Sequence, residues 1–273
     1  MHVVRPLSRH FDPSNVKSPE SHGAVAWGDF NRSFHRLQRT DWRNINAASE
    51  ANFAWRLLRR VIAFYAQRTG AYLDLQGKAR IFARFQHHLP PNPDIVFFGA
   101  EAGWDTLLLQ ALLGGKGRVL LIDDDREAYE RYLDAADTVV LERPKSSELG
   151  QIVLQRDRQR IEYKRENLFA VPAAAEFDIA VDWGLAEHFP GQSKLTLIHH
   201  MQQFVRPGGW HISAVPRDSW QNRIFYRAFS DELNFGYREL MTRREFEHLW
   251  ERTGVKIIDS VQMLDSTVVL AQR

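Results

Sequence analysis

The stretch Asp94-Ile95-Val96-Phe97-Phe98-Gly99-Ala100-Glu101-Ala102-Gly103-Trp104 decides the fold. Its short apolar run predicts a strand buried on both faces, as in a parallel sheet covered by helices. A glycine-bearing turn then leads straight into a helical segment, Asp105–Leu113. Glycine at a strand exit permits a tight turn and close approach of a ligand, and the helix amino terminus presents unpaired N–H groups there. The next apolar run, Arg118-Val119-Leu120-Leu121-Ile122, ends in Asp123-Asp124-Asp125, with Asp123 lying 24 residues after Gly99. A carboxylate at that place can accept from both hydroxyls of a ribose, and Asp123 is assigned that role. Each piece alone also has a purely structural explanation, since glycine loops are common and acids after strands cap helices. Their order and spacing together favour a nucleoside site.

Downstream, short apolar runs continue to alternate with helical stretches, as expected for a doubly wound α/β sheet. The runs cover 138–141, 160–163, 178–181, 209–215, 255–258 and 267–270. The last two, joined by polar residues 259–266, predict an antiparallel pair at the sheet edge, so the sheet is mostly parallel with an antiparallel C-terminal edge strand. Thr242-Arg243-Arg244-Glu245 is a capping box, Met241 can staple onto Phe246 across it, and Gly254 ends that helix.

Upstream, residues 1–45 show no sustained period and read as a loosely structured arm. From 47 to 69, Phe53, Leu57, Leu58, Val61, Ile62, Phe64 and Tyr65 recur at helical spacing, with arginines on the other face. A second helical piece, 75–88, runs into Pro90-Pro91-Asn92-Pro93, which no helix continues through. The proline cluster divides the chain into an N-terminal arm with helices, 1–92, and a ligand-binding α/β domain, 93–273.

Composition narrows the chemistry. The chain has no cysteine, which excludes a thiolate nucleophile, cysteine-ligated zinc or iron–sulfur centres, and disulfides. Residues 1–90 carry 14 Lys/Arg against 6 Asp/Glu, whereas 91–273 carry 22 against 28. The front charges are scattered, as on a solvated helical surface, and no nucleic-acid-binding module is recognisable. The opening Met1-His2-Val3-Val4-Arg5 lacks a signal peptide's apolar run, and the most apolar helical stretch is broken by Arg56, Arg59 and Arg60. A cytoplasmic protein without membrane insertion is expected. The adjacent pairs His87-His88 and His199-His200 lack the spacing of a helix-borne metal site, so no metal is expected.

Over residues 93–273 the chain resembles the class I S-adenosylmethionine-dependent methyltransferases. Beside the glycine turn and its distant acid, Phe177-Asp178-Ile179-Ala180-Val181-Asp182-Trp183-Gly184-Leu185-Ala186-Glu187-His188-Phe189 looks like their fourth-strand segment. Phe204-Val205-Arg206-Pro207-Gly208-Gly209-Trp210 resembles the turn before their fifth strand. The resemblance implies S-adenosylmethionine as cofactor and methyl transfer as reaction. It puts Gly99, Ala100, Glu101 and Gly103 beside the methionine portion, Asp123 on the ribose, Glu166 and Asn167 against the adenine, and Trp183 at the cleft mouth. A tryptophan face there can attract the sulfonium, pack on the acceptor, or serve the core.

Two positions depart from the family pattern: Phe97 stands where an acid usually faces the methionine ammonium, and Glu101 replaces the middle glycine. Glu101 either restores a carboxylate nearby or crowds the site. A small-molecule acceptor is expected, since Asp182-Trp183-Gly184-Leu185 differs from the Pro-Pro-containing pattern of many enzymes that methylate bases. Its pocket is expected from the front helices and the insertion 216–237. His188, with an ordinary pKa near neutrality, is the first candidate base and Glu187 the second; the competing role for both is capping or orienting the loop after the strand. A noncatalytic S-adenosylmethionine-binding partner subunit and a nicotinamide-dependent oxidoreductase are the alternatives. The second lacks GxGxxG spacing. Oligomeric state is not legible.

Overall fold

The computed structural model describes residues 10–11, 57–64, 75–141, 151–229, 233 and 236–273. In chain order its strands are β1 (His10–Phe11), β2 (Ile95–Phe98), β3 (Val119–Ile122), β4 (Thr138–Leu141), β5 (Ile152–Gln155), β6 (Ile161–Lys164), β7 (Phe177–Trp183), β8 (Val205–Pro216), β9 (Arg238–Glu239), β10 (Lys256–Gln262) and β11 (Ser266–Gln272). The helices are α1 (Leu75–Phe85), α2 (Trp104–Leu112), α3 (Arg126–Asp134), α4 (Ser193–Phe204), α5 (Trp220–Ala228) and α6 (Arg243–Glu251).

Seven strands form one sheet in the order β10-β11-β8-β7-β2-β3-β6. Pairing is parallel from β8 to β6, while β11 runs antiparallel to both β8 and β10. The predicted antiparallel pair is present at the sheet edge, with β11 on the inside and β10 outermost. Alternate residues of each central strand feed two cores. On one face Phe97, Leu121 and Val181 pack with Phe82 and Phe85 of α1 and Leu108 and Leu109 of α2. On the other, Phe98, Ile122 and Ala180 pack with Leu197 and Met201 of α4 and Phe246 and Trp250 of α6. Each large side chain fully withdrawn from water contributes about 1.5–3 kcal/mol, so loss of one face would unfold the domain.

One predicted strand belongs elsewhere. Residues 138–141 do not enter the parallel sheet; they pair antiparallel with β5 as a separate hairpin, and β6 lies beside β3 instead. The reason is one-sided burial. Val139 and Leu141 pack against the core while Thr138 and Val140 face solvent, whereas an inner parallel strand needs apolar cover on both faces.

Local signals act as their chemistry dictates. Thr242 Oγ1 accepts from the Glu245 N–H at 3.3 Å and Glu245 Oε2 from the Thr242 N–H at 2.9 Å, closing the capping box, with Met241 and Phe246 buried in one cluster. The proline–glycine turn before the fifth parallel strand is absorbed into β8 as a register shift, Phe177 facing Val205 and Ile179 facing Trp210. A Cβ on Gly209 would stand 2.8 Å from the Asp178 carbonyl, which keeps that position glycine. Of the predicted helix over 47–69, residues 57–64 are described and helical. Apart from His10–Phe11, the arm over 1–45 lies outside the described residues.

Candidate functional site: a glycine loop and a buried acidic turn

The chain leaves β2 on one side for β3 and β6, then crosses to β7 on the other, so the carboxyl ends of β2 and β7 flank the point where strand order reverses. Open α/β sheets bind ligands in the crevice at such a point. The loop after β2 has left-handed backbone at Gly99 (φ 65°), Glu101 (φ 49°) and Gly103 (φ 79°). A Cβ on Gly103 would stand 2.6 Å from Leu121 Cδ1, so helix α2 can approach β3 this closely only without a side chain there.

Glu101 holds a conformation that costs a non-glycine residue about 1–2 kcal/mol, and four contacts offset it. Its N–H donates to Asp123 Oδ2 at 2.8 Å, and its carbonyl accepts from the Tyr163 hydroxyl at 3.0 Å. Its carboxylate accepts from Arg131 Nε at 2.9 Å and from the Ala102 N–H at 3.0 Å. The side chain is therefore turned toward α3. Arg156, buried between the rings of Trp104 and Tyr132, donates to the Ala102 carbonyl at 3.0 Å and completes the clamp on the loop.

Asp123 joins the loop to the following turn: Oδ2 takes the Glu101 N–H and Oδ1 the Asp125 N–H at 3.0 Å. Burial pushes its carboxyl up to about 7. Each oxygen uses one lone pair for these bonds and keeps another for a hydroxyl. Asp125 caps α3, accepting from the N–H groups of Glu127 and Ala128. Glu166 is exposed and reaches Asp123 through its backbone N–H, 3.2 Å from the Asp123 carbonyl. Asn167 spends its side-chain oxygen on the Phe169 N–H at 2.9 Å, capping the turn Leu168–Ala170. Bare backbone at the loop, a glycine cradle and a carboxylate with spare lone pairs fit the adenosyl group of S-adenosylmethionine.

Phe97 is buried in the core beneath α1 and α2. Trp183, at the end of β7, meets Phe82 edge-on at 5.9 Å, and the Lys78 ammonium lies 4.6 Å from its ring centroid. Lys78 also bonds Asp105, in the first turn of α2, at 2.5 Å.

Glu187 and His188 lie in the buried turn Ala186–His188 after β7, on the opposite face from Trp183's partners. His188 Nδ1 is 2.8 Å from the Tyr237 carbonyl, which only accepts, so that nitrogen carries the proton. Nε2 then accepts from Arg238 at 3.2 Å. Burial, with Arg238 beside it, holds the imidazole well below its ordinary pKa. Both ring nitrogens are engaged, and His188 stands as a neutral link between the turn and β9. Glu187 Oε1 lies 3.6 Å from His188 Nε2, while Oε2 has no hydrogen-bond partner. Burial lifts this carboxyl to about 7, against the lowering effect of Arg238. Asp182, one residue before Trp183, is buried with Oδ2 unpartnered, and burial lifts it to about 8. The mark of Asp182 in the sequence is a charged residue next to last in a buried strand.

The insertion after β8 closes over this turn: Arg238 stacks on Tyr226 at 4.5 Å, and Lys194 bonds Glu239 at 2.5 Å. Trp220 points outward, and Arg223 is paired with Asp218 at 2.6 Å. Among the described residues, the front segment meets the chain after β8 through β1 paired with β9 and through Arg59, 5.0 Å over the Phe229 ring. A groove of about 350 Å³ lined by Arg118, Arg160, Glu162, Glu176 and Phe177 lies away from the glycine loop and takes no part in this site. Among the described residues no three metal-ligating side chains converge, and no helix is long and apolar enough to cross a membrane.

A family profile described as a methyltransferase domain matches residues 62–260. The chain belongs to this methyltransferase family. Its cofactor is S-adenosylmethionine. No curated protein matches it by sequence. Among solved structures, the methyltransferase is similar to a possible exported protein from Bordetella parapertussis, with 15% identity over 94% of this chain and 99% of that one and a TM-score of 0.57. It is similar to an S-adenosylmethionine-dependent methyltransferase from Mesorhizobium loti, with 15% identity over 73% of this chain and 100% of that one and a TM-score of 0.51. The N-methyltransferase NodS from Bradyrhizobium japonicum, in complex with S-adenosyl-L-homocysteine, shows 13% identity over 90% and 98% of the two chains and a TM-score of 0.52. At these identities the likeness to solved structures is one of fold.

Proposed function

We propose that this methyltransferase transfers the methyl group of S-adenosylmethionine to a small-molecule acceptor in the cytoplasm, the new bond forming in line as the bond to sulfur breaks. The observation that carries the reading is the seating of the left-handed loop Gly99–Gly103 on the Asp123 carboxylate at the point of strand-order reversal. Asp123 holds the ribose, Gly99, Ala100, Glu101 and Gly103 supply the backbone beside the methionine portion, and Glu166 and Asn167 border the adenine. The cofactor brings an activated methyl group, so the protein's work is to orient the acceptor and exclude water.

Where the acceptor must lose a proton, Glu187 takes it. Its Oε2 is unpartnered and its carboxyl titrates near neutrality, whereas His188 has both nitrogens occupied. His188 orients the turn. The insertion over 216–237 and the front helices supply the acceptor's pocket, a reading supported by Arg59 lying over the Phe229 ring, and the acceptor is a small organic molecule.

Calorimetric titration with S-adenosylmethionine, S-adenosylhomocysteine and NADH tests the reading. Saturable binding of both adenosyl ligands without NADH is the expected result; binding of NADH alone would overturn it. A noncatalytic partner subunit is the second reading, favoured by Phe97 and Glu101. Transfer of labelled methyl to any member of an acceptor panel excludes it.

A further inference from the structure

We propose that Lys78 and Asp105 form the subsite that reads the amino-acid end of the cofactor, Lys78 meeting the carboxylate and Asp105 the ammonium. The inference rests on the S-adenosylmethionine site described above.

The glycine loop leaves β2, Trp183 ends β7, and the crevice lies between these two strand ends. Asp105 follows Gly103 by two residues, in the first turn of α2. Lys78 reaches across from α1 to bond it at 2.5 Å, with its ammonium over the Trp183 ring. The pair thus stands on the loop side of the crevice, held by three elements.

The two side chains are 18% and 19% exposed, so the pair is reachable yet partly desolvated. A lysine and an aspartate side by side present the inverse of an α-amino acid zwitterion. Partly exposed ion pairs stabilise a fold little, so exchanging part of their mutual attraction for a ligand's two charges costs little. With Lys78 already over the face of Trp183, a further cation is repelled from that face and a carboxylate is drawn to the Lys78 ammonium.

The neighbouring charged groups are otherwise engaged. Position 97 offers no charge, because Phe97 is packed in the core. Glu101 is committed to Arg131 and the Ala102 N–H, and Asp123 holds two backbone N–H groups and keeps its remaining lone pairs for the ribose. Asp125 caps α3. Asp105 is the acid beside the loop whose partner is a flexible lysine, which can turn from it toward a ligand.

The test compares three ligands by calorimetry: S-adenosylmethionine, its decarboxylated form, and 5′-methylthioadenosine, which lacks the amino-acid portion. The unaltered protein should prefer S-adenosylmethionine over the decarboxylated form by about tenfold, the scale of one charge-assisted hydrogen bond at a partly exposed site. Lys78→Met should bring that ratio close to unity, and Lys78→Arg should keep most of it. Asp105→Asn should weaken both amine-bearing ligands and leave 5′-methylthioadenosine unchanged. Thermal melts of each variant establish that it is folded. An undiminished ratio in Lys78→Met, or an equal loss for all three ligands, overturns the proposal. Failure of the unaltered protein to bind any of the three would instead remove the cofactor reading on which it rests.

Discussion

The backbone N–H of Glu101 donates to the carboxylate of Asp123 at 2.8 Å, tying the loop after β2 to the end of β3. Removing that acceptor has two separable effects. Asp123→Ala leaves two amides without their partner and should cost about 1–3 kcal/mol in urea unfolding. It should also weaken adenosyl-ligand binding by more than tenfold, while Asp123→Asn retains more of the stability than of the affinity. Unchanged affinity in both variants would count against the ribose assignment.

Position 101 offers a ranking that separates backbone strain from side-chain pairing. Glu101→Ala keeps the left-handed conformation and loses Arg131, so it should be the least stable variant. Glu101→Gly removes the strain together with the ion pair and should be more stable than Glu101→Ala by about 1 kcal/mol. A thermal melt placing alanine above glycine would show that the loop relaxes out of this geometry.

Gly103→Ala combines a φ of 79° with a Cβ 2.6 Å from Leu121 Cδ1. A destabilisation of about 2 kcal/mol or more is expected. Adding Leu121→Ala should not restore stability, because it opens a cavity and leaves the backbone strain in place.

Three of the carboxyls that burial raises, Asp123, Asp182 and Glu187, set a pH dependence with a definite sign. Asp123 and Glu187 titrate at about 7 and Asp182 at about 8 in the folded protein, above their unfolded values. Between the two sets of values the folded state binds more protons, so stability is greatest in mild acid and falls as pH rises toward 8. Each group contributes a slope of at most about 1.4 kcal/mol per pH unit. Urea midpoints from pH 5 to 9 should fall accordingly, and Asp182→Asn should flatten the curve and match or exceed the unaltered protein at pH 9. A parallel curve for Asp182→Asn would mean that Asp182 is charged throughout.

Turnover, once an acceptor is found, distinguishes the two residues of the buried turn. Glu187→Gln should lower kcat by about a hundredfold or more with little change in cofactor affinity, and the acid limb of the rate profile near pH 7 should vanish. His188→Gln should act mainly on stability, by about 1–3 kcal/mol, through the lost bonds to Tyr237 and Arg238. A kcat loss for His188→Gln matching that of Glu187→Gln would return the base to the histidine.

Much of this architecture is legible in the sequence because buried parallel strands must be apolar on both faces, which exposes 95–98, 119–122 and 179–181 as short uninterrupted runs. The same rule misplaced 138–141, where the apolar residues serve one face of a hairpin whose second strand, Ile152–Gln155, has only alternate burial. The glycine loop and Asp123 are local features with fixed spacing. The fate of Glu101 is not local, since it depends on Arg131, thirty residues on, and on how α3 lies over the loop. Lys78 carries no mark in the amphipathic pattern of α1. Its meeting with Trp183 depends on where that helix crosses the sheet.

The place of β11 between β8 and β10 has a consequence for synthesis on the ribosome. Strand β10 is translated first but has no slot in the sheet until β11 arrives to bridge it to β8. Until then β8 presents a bare edge of unpaired N–H and carbonyl groups, open to a strand from another nascent chain. A message truncated before Ser266 would make that exposure permanent and should yield insoluble product in place of a shorter soluble domain.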